Sequence, residues 1–164
     1  MLITRVDPEE AFVTVEWATL FFFVGLFILV GGLEKVGIIE NMAREAVKLT
    51  QGNVALSTIF VLWFSAIASA FIDNIPFVAT FIPLIQEMGQ IGHMNIMPLW
   101  WALSLGACLG GNGTIIGASA NVIVSGIAAR EGHPITFLGY MKIAFPLMLV
   151  SIVIATGYLL IFFV

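Results

Sequence analysis

The sequence predicts an all-α integral membrane fold, and three observations carry that expectation. Of its 164 residues, 60% are hydrophobic and 10% are charged, and the mean hydropathy is +1.09. Charge-free apolar runs recur at residues 17–33, 54–72 and 143–164. Clusters of polar residues and glycine interrupt the apolar pattern at Asp73-Asn74 and again from Gly110 to Thr114. A soluble domain usually carries about 25% charged residues, and a chain of this size leaves roughly 30% of its surface in water. Lipid is therefore the expected solvent for much of this one.

Residues 17–33 suit one span, with Trp17 as an interfacial anchor. Residues 34–50 differ. Val36, Ile39, Ala43, Ala46 and Val47 recur at helical spacing, with Glu40, Arg44, Glu45 and Lys48 opposite. This reads as an amphipathic helix lying in the membrane interface. Gln51-Gly52-Asn53 ends it. Residues 54–88 read as a helical hairpin that enters the membrane, turns at Asp73-Asn74 and leaves by the same side. Its second apolar stretch is about a dozen residues, too short for about 30 Å of hydrocarbon. The rival is a full span followed by a buried loop and a core helix. After a Gly-containing connection at 89–95, residues 96–129 read as one passage broken at Gly110-Gly111-Asn112-Gly113-Thr114, since Gly and Asn are weak helix formers. Residues 136–164 are the final span, with Thr136 as its cap and Pro146 as a possible bend. Three crossings follow. Lys35, Arg44 and Lys48 on one side against Arg5, Arg130 and Lys142 on the other leave orientation undecided by charge.

Several functions find no support. A net charge of −4 with scattered Lys and Arg offers no basic stripe for nucleic acid. Cys108 is the single cysteine, which excludes an intrachain disulfide or a Cys-based metal cage and reads as a buried small hydrophobe. His93 and His133 fall in connections without partners at metal-ligand spacing. Residues 1–10 set Arg5 against Asp7, Glu9 and Glu10, unlike a signal peptide. HExxH, GxSxG, Walker A and GxGxxG are all absent from the sequence. No enzyme is expected, and no cofactor beyond Na+ or H+ as a coupling ion.

The candidate site lies at the two breaks. Asp73 is the one ionisable residue between Val54 and Gln86, and a charge at membrane depth marks a functional site by default. It or Asn74 also stands where a helix N-cap belongs, with Pro76 just inside. Asn112, Gly113, Thr114, Ser119 and Asn121 form the second cluster. Tight helix packing is the alternative for its small residues, but asparagine amides left unpaired in hydrocarbon are unfavourable. Two half-helices would begin at the breaks with partly positive N–H ends, and two limbs would end there with free carbonyls. That combination suits an anion beside Na+, with a Na+ position near Asp73, Asn74 and Thr114.

The stretches ATLFFFVGLFILVGGLEKVGIIE, FIDNIPFVATFIPLI and LGGNGTIIGASANVIVSGIAAREGHPITF resemble the ion-transporter superfamily, over residues 16–164. The nearest branch is the arsenite permease, NhaD-type sodium–proton antiporter and P-protein group, with citrate and dicarboxylate carriers further off. The resemblance implies two inverted repeats, each giving a re-entrant hairpin and a discontinuous helix to a mid-membrane site, and elevator-like secondary transport in dimers. The hairpin tip would be Asp73-Asn74-Ile75, the unwound segment Asn112 to Asn121, and residues 34–50 a horizontal arm. The dicarboxylate branch has Ser-Asn-Thr at that tip, so the tip here disfavours a dicarboxylate. Resemblance also implies that the hairpin's side and the C-terminus face outward. Family members are much longer, so this chain corresponds to the carboxy-terminal half and to half a site. The expected function is coupled transport of a small inorganic ion or small anion across the cell membrane. The expected partners are lipid, a second copy or a separate amino-terminal half. A non-transporting scaffold or degenerate remnant, and a passive channel, are the alternatives.

Overall fold

The structure is a computed structural model whose described residues are 17–164, without the side chains of Ala18 and Thr19. The acidic stretch at 1–10, Arg5 and Glu16 lie outside the described residues. Those residues form seven α-helices and no strand: α1 Trp17–Lys35, α2 Ile38–Leu49, α3 Val54–Ser69, α4 Asn74–Gly92, α5 Met97–Gly110, α6 Ser119–Arg130 and α7 Phe137–Phe162. Two short 3-10 turns, Gly111–Gly113 and Ile115–Gly117, separate α5 from α6.

α1 is apolar on every side. It ends at Gly37, whose φ of 75° suits glycine, and the chain bends by 68° into α2. α2 has the two faces its spacing predicts. Ile39, Ala43 and Ala46 are buried, while Glu40 pairs with Arg44 and Glu45 with Lys48 outside. Val36 falls before the helix and is exposed. Gln51 and Gly52 reverse the chain at φ 54° and 66°, and Asn53 caps α3 by accepting the Leu56 N–H at 3.1 Å. Ser57 donates to Thr50 Oγ1 at 2.9 Å and seals this corner.

α3 and α5 form the central seam. Small residues let their backbones approach closely: a Cβ added to Gly106 would lie 2.6 Å from the Leu62 carbonyl oxygen, and one on Gly110 would overlap the Ala66 backbone. Ser69 ties the seam by donating to the Ala107 carbonyl at 2.8 Å. Both helices run antiparallel to α7. Near its C-terminal end, Trp63 Nε1 donates to Thr156 Oγ1 at 3.1 Å and the rings of Trp101 and Phe163 sit 5.5 Å apart. Closer to its middle, a Cβ on Gly113 would lie 3.0 Å from Met148 Cε and 3.2 Å from Ala70 Cβ. So α3 and α5 start from one end of the molecule, and both stop partway along α7, a helix of 26 residues.

α4 returns toward the end from which α3 came, and Phe64 on α3 stacks on Phe81 at 5.5 Å and tilts against Phe77 at 6.5 Å. Here the structure corrects the sequence reading. α4 does not stop at Met88 but runs 19 residues to Gly92, and His93 ends it at φ 48°. Gly89, expected in a connection, is helical. The reason is that Leu84, Ile85 and Met88 continue the buried face, while Gln86 and Gln90 point outward. Pro146 sits within α7 without interrupting it, and Thr136 caps that helix by accepting the Gly139 N–H at 3.1 Å. By length and composition α7 is apolar enough to cross a membrane, and α1 with α2 form a bent pair that passes the same test together.

Candidate functional site at two helix breaks

The two interruptions meet. Asp73 is the N-cap of α4, its Oδ1 accepting the Ile75 N–H at 3.1 Å. Its other oxygen accepts the hydroxyl of Ser119, the first residue of α6, at 2.9 Å. One carboxylate therefore caps one half-helix and grips the start of the other, across 46 positions of sequence. Asp73 is half-buried and Ser119 exposed.

Behind this pair the limb-end carbonyls converge. The position a Cβ would take on Gly117 lies 2.6 Å from the Gly111 oxygen, 2.8 Å from that of Ser69 and 2.9 Å from that of Ala70. Only glycine fits there. Crowded carbonyl dipoles repel one another unless donors or a cation intervene. Thr114, fully buried, donates its hydroxyl to the Ala70 oxygen, and the Asn121 amide donates to the oxygens of Gly111 and Thr114, each at 3.1 Å. Each carbonyl keeps a second lone pair. The knot is thus closed by internal donors and still offers negative potential.

The sequence-predicted residues divide accordingly. Asp73 and Ser119 are joined directly, Thr114 and Asn121 build the carbonyl knot, and Gly113 packs beside it against Ala70 and Met148. Asn74 instead lines a cavity of about 430 Å³ between α4 and α5, with Val78, Ile82, Trp100, Leu103, Ser104 and Cys108. Ile75 is exposed. Asn112 is exposed too, and its contribution is its backbone oxygen, which accepts the Tyr140 hydroxyl at 3.2 Å. Cys108, expected to be buried, is exposed on that same cavity. α5 is apolar on nearly every face, so its pattern does not show which side packs. Tyr140 and Ser69 were not foreseen. No cluster of three His, Cys, Asp or Glu side chains able to hold a metal occurs among the described residues. A bound cation would have to rely on carbonyl oxygens and one carboxylate.

The sequence comparisons show which family this all-α chain belongs to. The citrate transporter family matches residues 1–106, and the chain belongs to that family. Among its relatives, an uncharacterized transporter of Mycobacterium tuberculosis is 45% identical over 161 residues, covering 97% of this chain and 38% of the relative. The P protein of Sus scrofa is 45% identical over 162 residues, covering 94% of this chain and 19% of that protein. A 46 kDa membrane protein of Mycobacterium leprae is 40% identical over 163 residues, 97% of this chain and 38% of its own length. The chain thus spans well under half the length of these relatives. No solved structure matches it.

Proposed function

We propose that this chain is a multi-pass protein of the cell membrane and one half of a secondary active transporter. It moves a small inorganic ion or small anion, coupled to Na+ or H+, by elevator-type alternating access. The observation that carries this reading is the Asp73–Ser119 bond, which puts a lone acid between two half-helix starts and beside three converging carbonyls. The N–H ends favour an anion, and the carboxylate with the carbonyls favours Na+ or a proton. α3 and α4 are the re-entrant hairpin, α5 and α6 the discontinuous span, and α2 the horizontal arm. The remaining half of the site comes from an inverted repeat on another chain or segment, and the assembly is a dimer. The P-protein relatives support the arsenite permease-like branch, with NhaD-type antiport as its relevant mode. Citrate stands in the family's description, but the Asp73-Asn74-Ile75 tip argues against a dicarboxylate.

The test is Asp73→Asn. Asparagine also caps helices, and with its Oδ1 on the Ile75 N–H its amide NH2 can donate to the Ser119 hydroxyl oxygen, so the fold should persist in membranes at wild-type yield. Flux driven by a Na+ or pH gradient, with the chain alone or co-expressed with the rest of a family member, should be lost. Wild-type flux from this variant would defeat the assignment. Ion-dependent thermal stabilisation separates this reading from an inert scaffold, which would show none.

A further inference from the structure

The segment between α5 and α6 is held by three helices. Its oxygens at Gly111 and Thr114 accept the Asn121 amide of α6, each at 3.1 Å, and the Thr114 hydroxyl reaches back to Ala70 at the end of α3. The Asn112 oxygen, next to that of Gly111 in sequence, is taken by α7: the Tyr140 hydroxyl donates to it at 3.2 Å across 28 positions. Gly113 rests on the same helix, since a Cβ there would lie 3.0 Å from Met148 Cε and 3.3 Å from Phe145 Cδ2. Among the described residues, hydrogen bonds tie α7 to other elements at two points. One is Thr156, which accepts from Trp63, and the other is Tyr140 at the break.

The Asn112 carbonyl is easily turned. Gly111 and Gly113 flank it, and glycine leaves the adjoining peptides free to rotate. Thr114, at φ −137° and ψ 166°, ends the first 3-10 turn in extended backbone. Tyr140 borders a cavity of about 480 Å³ with Thr136, Ile143 and Leu147, so its ring is not wedged on every side and the hydrogen bond keeps it on Asn112. The Gly111, Ser69 and Ala70 oxygens already crowd Gly117. A further carbonyl dipole turned into that knot would repel them unless a donor met it. We propose that Tyr140 is a positioning residue of the site: its hydroxyl keeps the Asn112 oxygen on α7 and out of the carbonyl knot, and so sets how the unwound segment presents itself to the coupling ion. This rests on the transporter reading above. Tyr140 touches no solute, and acts through the backbone at residues 112 and 113.

The experiment compares the full chain in lipid nanodiscs with Tyr140→Phe, which keeps the ring and removes the donor. One readout is amide hydrogen exchange across residues 110–118. The other is the rise in melting temperature with added Na+ at fixed pH, and with added H+ at fixed Na+. Exchange in that segment should quicken about tenfold in Tyr140→Phe while α3 and the rest of α5 stay as they were. The concentration of Na+ or H+ giving half-maximal stabilisation should rise about threefold or more, the loss of one neutral hydrogen bond. Phe145→Leu, which loosens the packing on Gly113 but keeps the hydroxyl, should leave that concentration at its wild-type value. In the wild type, the effective ion should also slow exchange across residues 110–118 relative to α3, a measurement that stands if the Phe variant does not fold. A tie with a merely structural role would lower the ion-free melting temperature and leave the half-maximal concentration unmoved, and that result would overturn the proposal. So would unchanged exchange in Tyr140→Phe, equal ion effects in the two variants, or no slowing by the ion. In each of those cases the wild type still responds and the transporter reading stands. A wild type that responds to neither Na+ nor H+ would remove the transporter reading, and the positioning role with it.

Discussion

Asp73 carries two roles that substitution can pull apart. Asp73→Asn keeps the cap, reverses the bond with Ser119 so that the amide donates, and removes the charge, whereas Asp73→Ala removes cap, bond and charge. The alanine variant should lose about 1–2 kcal/mol of stability, as an N-cap loss, and the asparagine variant much less, a difference that denaturation in detergent would read. Two buried serines on α3 offer a sharper contrast. Ser69 donates across the seam to Ala107, while the Ser65 hydroxyl is buried with no hydrogen-bond partner. Ser69→Ala should cost about 1 kcal/mol by removing the inter-helix bond to the Ala107 oxygen, which keeps the Gly111 N–H, and Ser65→Ala should be neutral or stabilising. Sequence alone could not have separated them. Thr58, Thr80, Ser151 and Thr156 all bond back to their own preceding turn. A hydroxyl in an apolar helix reads the same whether it does that or reaches another helix, which is why Ser69 and Tyr140 escaped notice. Asp73 and Asn121 were legible because a charge or an amide in an apolar run needs a partner.

At the scale of helices, legibility followed amphipathicity. α2 has a polar and an apolar face, so its inward residues could be named in advance. α1, α5 and α7 are apolar nearly all round, and their packing faces are set by neighbours rather than pattern, as the exposure of Cys108 illustrates. Glycines now distinguish contact from solvent or lipid. Gly106 and Gly110 lie where an added Cβ would strike the α3 backbone, whereas nothing stands within 4 Å of a Cβ on Gly126 or Gly157. Gly106→Ala and Gly110→Ala should each destabilise by about 1–3 kcal/mol through overpacking. Gly126→Ala and Gly157→Ala, at helix positions with no such contact, should gain roughly 0.5–1 kcal/mol from helix propensity. Melting temperatures of the four variants in one detergent check this. Loss at all four would mean that α6 and α7 pack against surfaces absent from this chain.

For the molecule as a whole, the two breaks were visible in the sequence, but their meeting was not. Nothing in spacing says that residue 73 bonds residue 119. Nor does hydropathy decide whether α4 crosses the membrane or turns back, since its 19 residues would reach about 28 Å. The contacts do bear on that choice. The starts of α3 and α5 both lie at the C-terminal end of α7, through Trp63 with Thr156 and Trp101 with Phe163. If α7 crosses the bilayer, the turn at 51–53 and the connection at 93–96 lie on one side, and the turn at 131–135 on the other. Cys108 is the sole thiol, so a Cys108→Ala background allows single cysteines to be placed at Gln51, Asn95 and Gly132. Intact right-side-out vesicles treated with a membrane-impermeant maleimide should label positions 51 and 95 alike and position 132 oppositely. Opposite labelling of 51 and 95 would turn α4 into a full crossing and defeat the re-entrant hairpin proposed above.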